Sequence, residues 1–167
     1  MKFIQDSITD DLYQKCVKEL NEKAYQNCWR SSSINWDADI KQGIIGSCIV
    51  TSVSDTIHHL LEEELKSCLP EYDELILQYY IWQPQSGISW HNDKASDRLF
   101  GATLYLNEKW HPDNGGWFIW EDNDGYHTII PKKKYLVNND NYEYHCVTPV
   151  SPVSLDSRCT IQIWGCL

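Results

Sequence analysis

The chain has 167 residues and a formal net charge of −10, from 24 acidic and 14 basic side chains. At this length we expect a single domain over residues 1–167, with one core and at most one active site. Hydrophobic residues make up 42% of the chain, which excludes a disordered protein. The acidic balance argues against a nucleic-acid partner, because duplex nucleic acid needs a basic face and the one basic run is Lys132–Lys134.

The distribution of apolar residues and cysteines indicates the compartment. No apolar stretch approaches the roughly 20 residues that a membrane-spanning helix needs, and the N-terminus lacks the apolar segment of a secretory signal. The seven cysteines are an odd number, without the paired spacings of a zinc site or a disulfide framework. We therefore expect free thiols in a soluble, cytoplasmic protein without a membrane partner. The oligomeric state is left open.

Helical periodicity is confined to the first part of the chain. Apolar residues recur at helical spacing from Thr9, an N-cap candidate, to about Ala24, and again from Ser54 to about Leu69. We expect residues 1–70 to form a helical support for the rest of the protein.

The pattern changes after Pro70 to short runs rich in β-branched and aromatic residues, separated by Gly, Asn, Asp and Pro. These runs predict a β core over residues 71–167. Helices followed by many strands predict an α+β, mainly β fold, in which a sandwich or jelly roll is supported by N-terminal helices. The predicted strands are Leu75–Trp82, Gly87–Trp90, Leu99–Asn107, Gly116–Trp120, His127–Ile130, Tyr135–Val137, Tyr142–Pro149 and Arg158–Gly165.

Three residues of the β region form a candidate metal site. His91 and Asp93 are two positions apart, so in an extended chain their side chains point the same way, and His145 can approach from a distant strand. Two imidazoles and one carboxylate on one face of a metal are the ligands of non-haem Fe(II) oxygenases. Taken alone this pattern is weak, because a chain with six histidines offers such pairs by chance.

The flanking sequence makes the pattern specific. Four ordered segments, within about Leu75 to Trp164, resemble the prolyl-hydroxylase-like branch of the Fe(II)/2-oxoglutarate-dependent oxygenases. The segments are Gly101–Trp110 with the Gly115-Gly116 turn, Ile130-Pro131, Tyr144–Val150 and Arg158–Trp164.

The resemblance implies a double-stranded β-helix with iron held by His91, Asp93 and His145. It also implies 2-oxoglutarate as co-substrate, O2 as oxidant, succinate and CO2 as products, and ascorbate as a candidate reductant. Related halogenases have a small residue in place of the carboxylate, so an intact Asp93 favours hydroxylation of a C–H bond.

The same resemblance suggests residues that bind the co-substrate. Arg158 matches the position that pairs with the far carboxylate of 2-oxoglutarate, and a guanidinium can pair with both carboxylate oxygens. Tyr105 matches a tyrosine that hydrogen-bonds this carboxylate, and Thr103 shares its strand face. For the family's tyrosine upstream of the metal ligands, we choose Tyr80 over its neighbours.

The substrate is not fixed by these motifs. The resemblance favours a prolyl-like side chain of a peptide or protein, whereas related folds act on free amino acids or other small molecules. The alternatives are a cupin-like metal-binding protein or isomerase without 2-oxoglutarate, which would not need Arg158, and a non-catalytic scaffold. A nucleic-acid demethylase of the AlkB type resembles the chain less, because no second Arg follows Arg158.

Overall fold

The computed structural model describes residues 1–24, 36–140 and 143–167. Its helices are α1 (Asp10–Ala24), α2 (Ala38–Gln42) and α3 (Asp55–Leu65). Its strands are β1 (Lys2–Ile4), β2 (Ile44–Ile45), β3 (Cys48–Ser52), β4 (Glu74–Trp82), β5 (Gly87–His91), β6 (Arg98–Tyr105), β7 (Phe118–Asp122), β8 (Gly125–Ile129), β9 (Leu136–Asp140), β10 (His145–Val147) and β11 (Arg158–Cys166).

The strands form two antiparallel sheets. The major sheet has the order β1-β9-β6-β11-β4-β3, and the minor sheet has the order β2-β5-β10-β7-β8. The central strand β11 pairs with β4 over its whole length and with β6 on its other edge. Two facing antiparallel sheets with non-sequential neighbours give the expected double-stranded β-helix, or jelly roll.

The major sheet buries both of its faces. One face packs against α1 and α3, where Tyr79, Leu104 and Ile161 belong to one buried cluster with residues such as Leu12 and Leu61. The opposite face packs against the minor sheet, with the inward side chains Trp82, Tyr105, Trp164, Ile88 and Phe118. Because both faces are covered, β4 and β11 read as almost continuous apolar runs in the sequence.

The two predicted helices are confirmed, as is the N-cap predicted at Thr9, and the structure adds an N-cap at Ser54. The Thr9 hydroxyl accepts a hydrogen bond from the Leu12 amide at 3.3 Å, and the Ser54 hydroxyl accepts one from the Ile57 amide at 3.4 Å. These hydroxyls satisfy amides that the first helical turn leaves without a partner. α3 ends at Leu65, four residues before the predicted end.

The helical support expected in residues 1–70 does not describe this region completely. This region also contributes β1, β2 and β3, which pair with β9, β5 and β4. Each of these strands is short, and its pairing partner is distant in sequence, so local periodicity does not reveal it. The predicted Tyr142–Pro149 strand shortens to His145–Val147, and Tyr142 lies outside the described residues.

The cysteines of the described segments are all free thiols: Cys16, Cys48, Cys68, Cys146, Cys159 and Cys166. Cys28 lies outside these segments. Burial raises the pKa of the Cys16 thiol to about 12 and raises that of Cys48 further, whereas Cys68 is only half-buried. None of the described helices is long and apolar enough to cross a membrane.

We predict that the thiols differ in reactivity in the native state. At pH 8, iodoacetamide should modify Cys68 at least tenfold faster than Cys16 and Cys48, because only a thiolate is nucleophilic and the buried thiols stay protonated. Peptide mass mapping after timed quenching measures the rates. Titration of the unfolded protein without reductant should find all seven thiols. Modification of Cys48 as fast as Cys68 would contradict the burial, and missing thiols would indicate disulfides.

Candidate functional site

A β-bulge in β5 turns His91 toward the interior. His91 pairs with His145 and Ile88 pairs with Val147, so three steps along β5 match two steps along β10. The extra residue places both Ile88 and His91 on the inner face, although residues three apart normally point to opposite faces. Ser89 and Trp90 remain on the outside.

His91, Asp93 and His145 converge in the interior between the two sheets. His91 is the last residue of β5, Asp93 follows two residues later, and His145 opens β10. Asp93 Oδ1 lies 3.6 Å from His91 Nε2, and Asp93 Oδ2 lies 3.4 Å from His145 Nε2. All three side chains are buried, and one ligand atom of each lies within 4.8 Å of the others. This spacing allows one metal ion to contact all three.

The backbone fixes the tautomers of both imidazoles. His91 Nδ1 lies 2.8 Å from the Ser89 carbonyl oxygen, and His145 Nδ1 lies 2.9 Å from the Glu143 carbonyl oxygen. Because a carbonyl can only accept, each Nδ1 carries the proton and donates it, which leaves the Nε2 lone pair directed at Asp93. Burial and the neighbouring His145 lower the pKa of His91 to about 4, so its imidazole is neutral at physiological pH.

The site matches what a divalent metal requires. His91 Nε2 is a buried nitrogen without a hydrogen-bond partner among the described residues, and Asp93 is a carboxylate with only 1% of its surface exposed. A buried carboxylate and an unpartnered lone pair are unfavourable unless a cation occupies the space between them. Neutral nitrogen ligands and one carboxylate suit Fe(II).

The Asp93 carboxylate is held on both oxygens. The Trp36 indole donates to Oδ1 at 3.2 Å, and the Asn139 amide donates to Oδ2 at 3.0 Å. Asn139 pairs with Gly101 across β9 and β6, and a Cβ atom at Gly101 would lie only 2.9 Å from Asp93 Oδ2. The backbone of β6 can approach the carboxylate this closely because residue 101 lacks a side chain.

Arg158 is a buried cation on the same inner face. Its side chain is 2% exposed, its Nη2 donates to the Tyr105 hydroxyl at 3.4 Å, and its guanidinium lies 5.1 Å from the centre of the Tyr105 ring. Within the described segments, no carboxylate forms an ion pair with Arg158, and its Nε has no hydrogen-bond partner. An isolated buried guanidinium is unfavourable, so this position is suited to an anion from outside the chain.

A narrow cavity connects Arg158 to the His-Asp-His triad. Thr103 and Gln162 form part of its polar wall, and the Thr103 hydroxyl donates to Gln162 Oε1 at 3.0 Å. The apolar wall consists of Trp36, Trp82, Ile88, Phe118 and Val147. A larger groove lies on the surface beside α3, but none of the predicted site residues lines it.

The predicted tyrosines take different places. The Tyr105 hydroxyl is bonded to Arg158, and the residue lies behind the cavity wall. Tyr80 faces the same interior, where its ring packs edge-on against Trp36 and its hydroxyl donates to Gln78 Oε1 at 3.4 Å. Trp82 lines the cavity, whereas Tyr79 faces α1 and donates to the Cys16 carbonyl. A cofactor-binding role for Tyr80 stays a prediction.

Sequence reasoning missed Trp36, Asn139 and Gln162. Gln162 lies four residues after Arg158 on the same strand face, so strand periodicity could have found it. Asn139 could not be found in this way, because its position beside Asp93 depends on the pairing of β9 with β6. Trp36 comes from the N-terminal region, and no local pattern relates it to the β core.

Comparisons with known proteins identify the family. The model of the 2OG-Fe(II) oxygenase superfamily matches residues 75–165, which include the triad and Arg158. Sequence comparison with curated proteins finds no match.

Solved structures resemble this chain over nearly its whole length. A prolyl-4-hydroxylase from Pseudomonas putida has a TM-score of 0.74 at 18% identity, covering 99% of this chain and 91% of its own. A prolyl hydroxylase from Trichoplax adhaerens, in complex with a hypoxia inducible factor peptide fragment, has a TM-score of 0.77 at 15% identity, with coverages of 99% and 82%. The viral collagen prolyl hydroxylase of Paramecium Bursaria Chlorella virus-1, solved as a 2OG complex, has a TM-score of 0.66 at 16% identity, with coverages of 98% and 93%.

These structural similarities establish the fold, and the family model extends over more than half of the chain. The chain therefore belongs to the 2OG-Fe(II) oxygenase superfamily, whose members use Fe(II), 2-oxoglutarate and O2.

Proposed function

We propose that this dioxygenase hydroxylates a C–H bond of a prolyl-like side chain in a peptide or protein, with Fe(II) held by His91, Asp93 and His145. The observation that carries the proposal is the convergence of the two Nε2 lone pairs on one buried carboxylate. Membership of the oxygenase family argues against the alternative, a cupin-like protein without 2-oxoglutarate.

Arg158 is the proposed anchor of 2-oxoglutarate. The buried guanidinium without a carboxylate partner in the described segments supports this role, because the far carboxylate of the co-substrate would neutralise it. Tyr105 orients the guanidinium through its hydroxyl, and Thr103 can contribute a hydroxyl from the cavity wall. The cavity that joins Arg158 to the triad allows one molecule to reach both.

The chain's own residues supply geometry and exclude water. The carbonyl groups of Ser89 and Glu143 keep the two imidazoles in the tautomer that can bind a metal. Apolar side chains around the triad limit the access of water, and the ring of Phe118 stacks on His145 at 4.9 Å. Iron held by the triad would, with 2-oxoglutarate and O2, supply the oxidising chemistry that converts C–H to C–OH with release of succinate and CO2.

The outer surface beside the site supports a peptide substrate. Trp90 directly precedes His91, is 44% exposed and lies 5.8 Å from the ring of Tyr126, which is 70% exposed. Exposed aromatic pairs are typical of protein-binding surfaces. The β7–β8 hairpin adds the exposed carboxylates Glu121 and Asp124, and the whole chain carries −10. This negative charge favours a neutral or basic substrate segment.

Succinate release across a substrate panel tests this proposal. The panel contains proline peptides flanked by Lys, by Ala or by Glu, matched peptides with Ala in place of Pro, and free amino acids. We expect the most succinate with Lys-flanked proline peptides, together with a mass gain of one oxygen atom in the peptide. If only free amino acids were turned over, the proposal of a peptide or protein substrate would be overturned. Comparison of assays with and without ascorbate tests whether this reductant is needed.

The proposed location is the cytoplasm. The described cysteines are free thiols, which supports a reducing compartment.

We predict that His91→Ala, Asp93→Ala and His145→Ala each lose iron and turnover while keeping the fold, because the site lies at one end of a core that packs without metal. Bound iron, succinate formation and circular dichroism are measured together. His59→Ala is the matched control, since His59 is exposed on α3 and pairs there with Glu63, away from the triad. Iron bound at wild-type affinity by Asp93→Ala would disprove the ligand assignment.

Arg158→Ala should weaken 2-oxoglutarate binding without changing iron binding. Loss of a buried, charge-assisted pair costs about 2–5 kcal/mol, which corresponds to roughly 30-fold or more in affinity. Arg158→Lys should recover part of the loss, because an ammonium keeps the charge but lacks the planar fork. The measurement is an anaerobic titration with Fe(II), followed by the visible charge-transfer band of the chelate. An unchanged dissociation constant in Arg158→Ala would remove Arg158 from the co-substrate site.

The same titration compares the two predicted tyrosines. Tyr105→Phe removes the hydroxyl that accepts from Arg158 and should weaken 2-oxoglutarate binding about 2- to 10-fold, the usual effect of one hydrogen bond. Tyr80→Phe should have a smaller effect, since the Tyr80 hydroxyl donates to Gln78. A larger loss in Tyr80→Phe would assign the co-substrate contact to Tyr80 instead.

A further inference from the structure

We propose that Trp36 and Asn139 act as positioning residues that fix the orientation of the Asp93 carboxylate for metal binding. The inference rests on the proposed iron site and concerns residues that make no contact with the metal themselves. Each residue donates one N–H to a different carboxylate oxygen, Trp36 to Oδ1 and Asn139 to Oδ2.

Two donors on opposite oxygens prevent the carboxylate from rotating. A carboxylate oxygen can accept two hydrogen bonds, so each oxygen keeps one lone pair for the metal. The oxygens then face the Nε2 atoms of His91 and His145, at 3.6 and 3.4 Å. A ligand that is oriented before the metal arrives loses less conformational freedom on binding, which raises metal affinity.

Trp36 is tied to the strand that carries His91. It lies just before α2, and β2 follows α2 and pairs with β5, where Ile44 lies opposite Ile88. The Ser89 amide also donates to the Gly43 carbonyl at 3.0 Å. The indole ring packs edge-on against His91, with ring centres 5.7 Å apart. The segment that holds Trp36 is therefore anchored to the strand that carries His91.

Asn139 contacts the other oxygen of the Asp93 carboxylate, and strand pairing holds it in place. It is 2% exposed on β9, and its partner across the ladder, Gly101, leaves room for the carboxylate beside the strand. A third contact supports the backbone, since Arg98 Nη1 donates to the Asp93 carbonyl at 2.9 Å. Asp93 lies outside any strand, so these contacts replace the strand pairing that would otherwise hold it.

The probe for this inference is Co(II), whose visible absorption reports binding without turnover. Trp36→Phe keeps an aromatic ring but removes the N–H, and Asn139→Ser shortens the side chain so that it no longer reaches Asp93. We expect each variant to bind Co(II) about 10- to 100-fold more weakly than the wild type, the usual effect of losing a partner of a metal ligand. The double variant should bind more weakly than either.

Matched controls separate positioning from stability. Trp110→Phe removes an indole hydrogen bond to the Gly115 carbonyl, and Asn107→Ala removes amide contacts to Ser157 and Cys159, with no contact to Asp93. Both should lower the thermal midpoint while keeping Co(II) affinity within twofold of wild type. If Asn139→Ser is unfolded, Asn139→Gln, which keeps an amide but displaces it, replaces that variant with the same expected loss.

The outcomes distinguish this inference from the proposed function. Wild-type Co(II) binding that is lost in His91→Ala, but unchanged in Trp36→Phe and Asn139→Ser, would overturn the positioning role and leave the metal site intact. A lower thermal midpoint in these two variants with unchanged affinity would show that their role is only structural. If the wild type binds no Co(II), both proposals are overturned.

Discussion

The buried carboxylate of Asp93 is the constraint on which the rest of the site depends. A negative charge with 1% exposure is stable only when hydrogen bonds and a cation compensate for lost water. The hydrogen bonds come from an indole before α2 and an amide on β9, and two imidazoles on the minor sheet are placed to hold the proposed cation. The carboxylate therefore joins the N-terminal region, the major sheet and the minor sheet at one point.

Two features of the strands make this convergence possible. The bulge in β5 turns His91 inward, and without the extra residue the imidazole would point toward solvent. Gly101 then allows β6 to pass close to the carboxylate, so Asn139 on the neighbouring strand can reach it. The bulge and the glycine are both local departures from regular strand geometry and packing, and both lie beside the predicted metal ligands. Such departures are common at functional sites because regular pairing alone cannot aim side chains at one point.

The central strand β11 connects the two charged parts of the cavity. It begins at Arg158 and continues with Thr160, Gln162 and Trp164 on the inner face, between β4 and β6. Because β11 has a strand on each side and buried residues on both faces, the guanidinium is held on a rigid element instead of a loop. The arrangement places a buried cation and the proposed metal site at two ends of one cavity, which would suit a dicarboxylate that chelates a metal and pairs with a cation at once.

The sequence alone determined the class of fold and both long helices with the Thr9 cap, and it supplied the residues that are proposed for the metal and co-substrate sites. These features depend on local periodicity, on capping chemistry, or on motifs in which a few neighbouring positions carry the information. The triad and Arg158 fall in this group because the chemistry of the ligands restricts the residue types. Their roles still rest on the proposed experiments.

Only the tertiary structure decided which residues surround that chemistry. β1, β2 and β3 exist because distant strands pair with them, and a run of two to five residues has no periodicity of its own. Asn139 reaches Asp93 through the register of β9 on β6, and Trp36 reaches it through the pairing of β2 with β5. Tyr79 and Tyr80 are neighbours in sequence, yet one faces the helices and the other the interior. The physical reason is that strand register and sheet stacking are long-range interactions, which a local pattern does not encode.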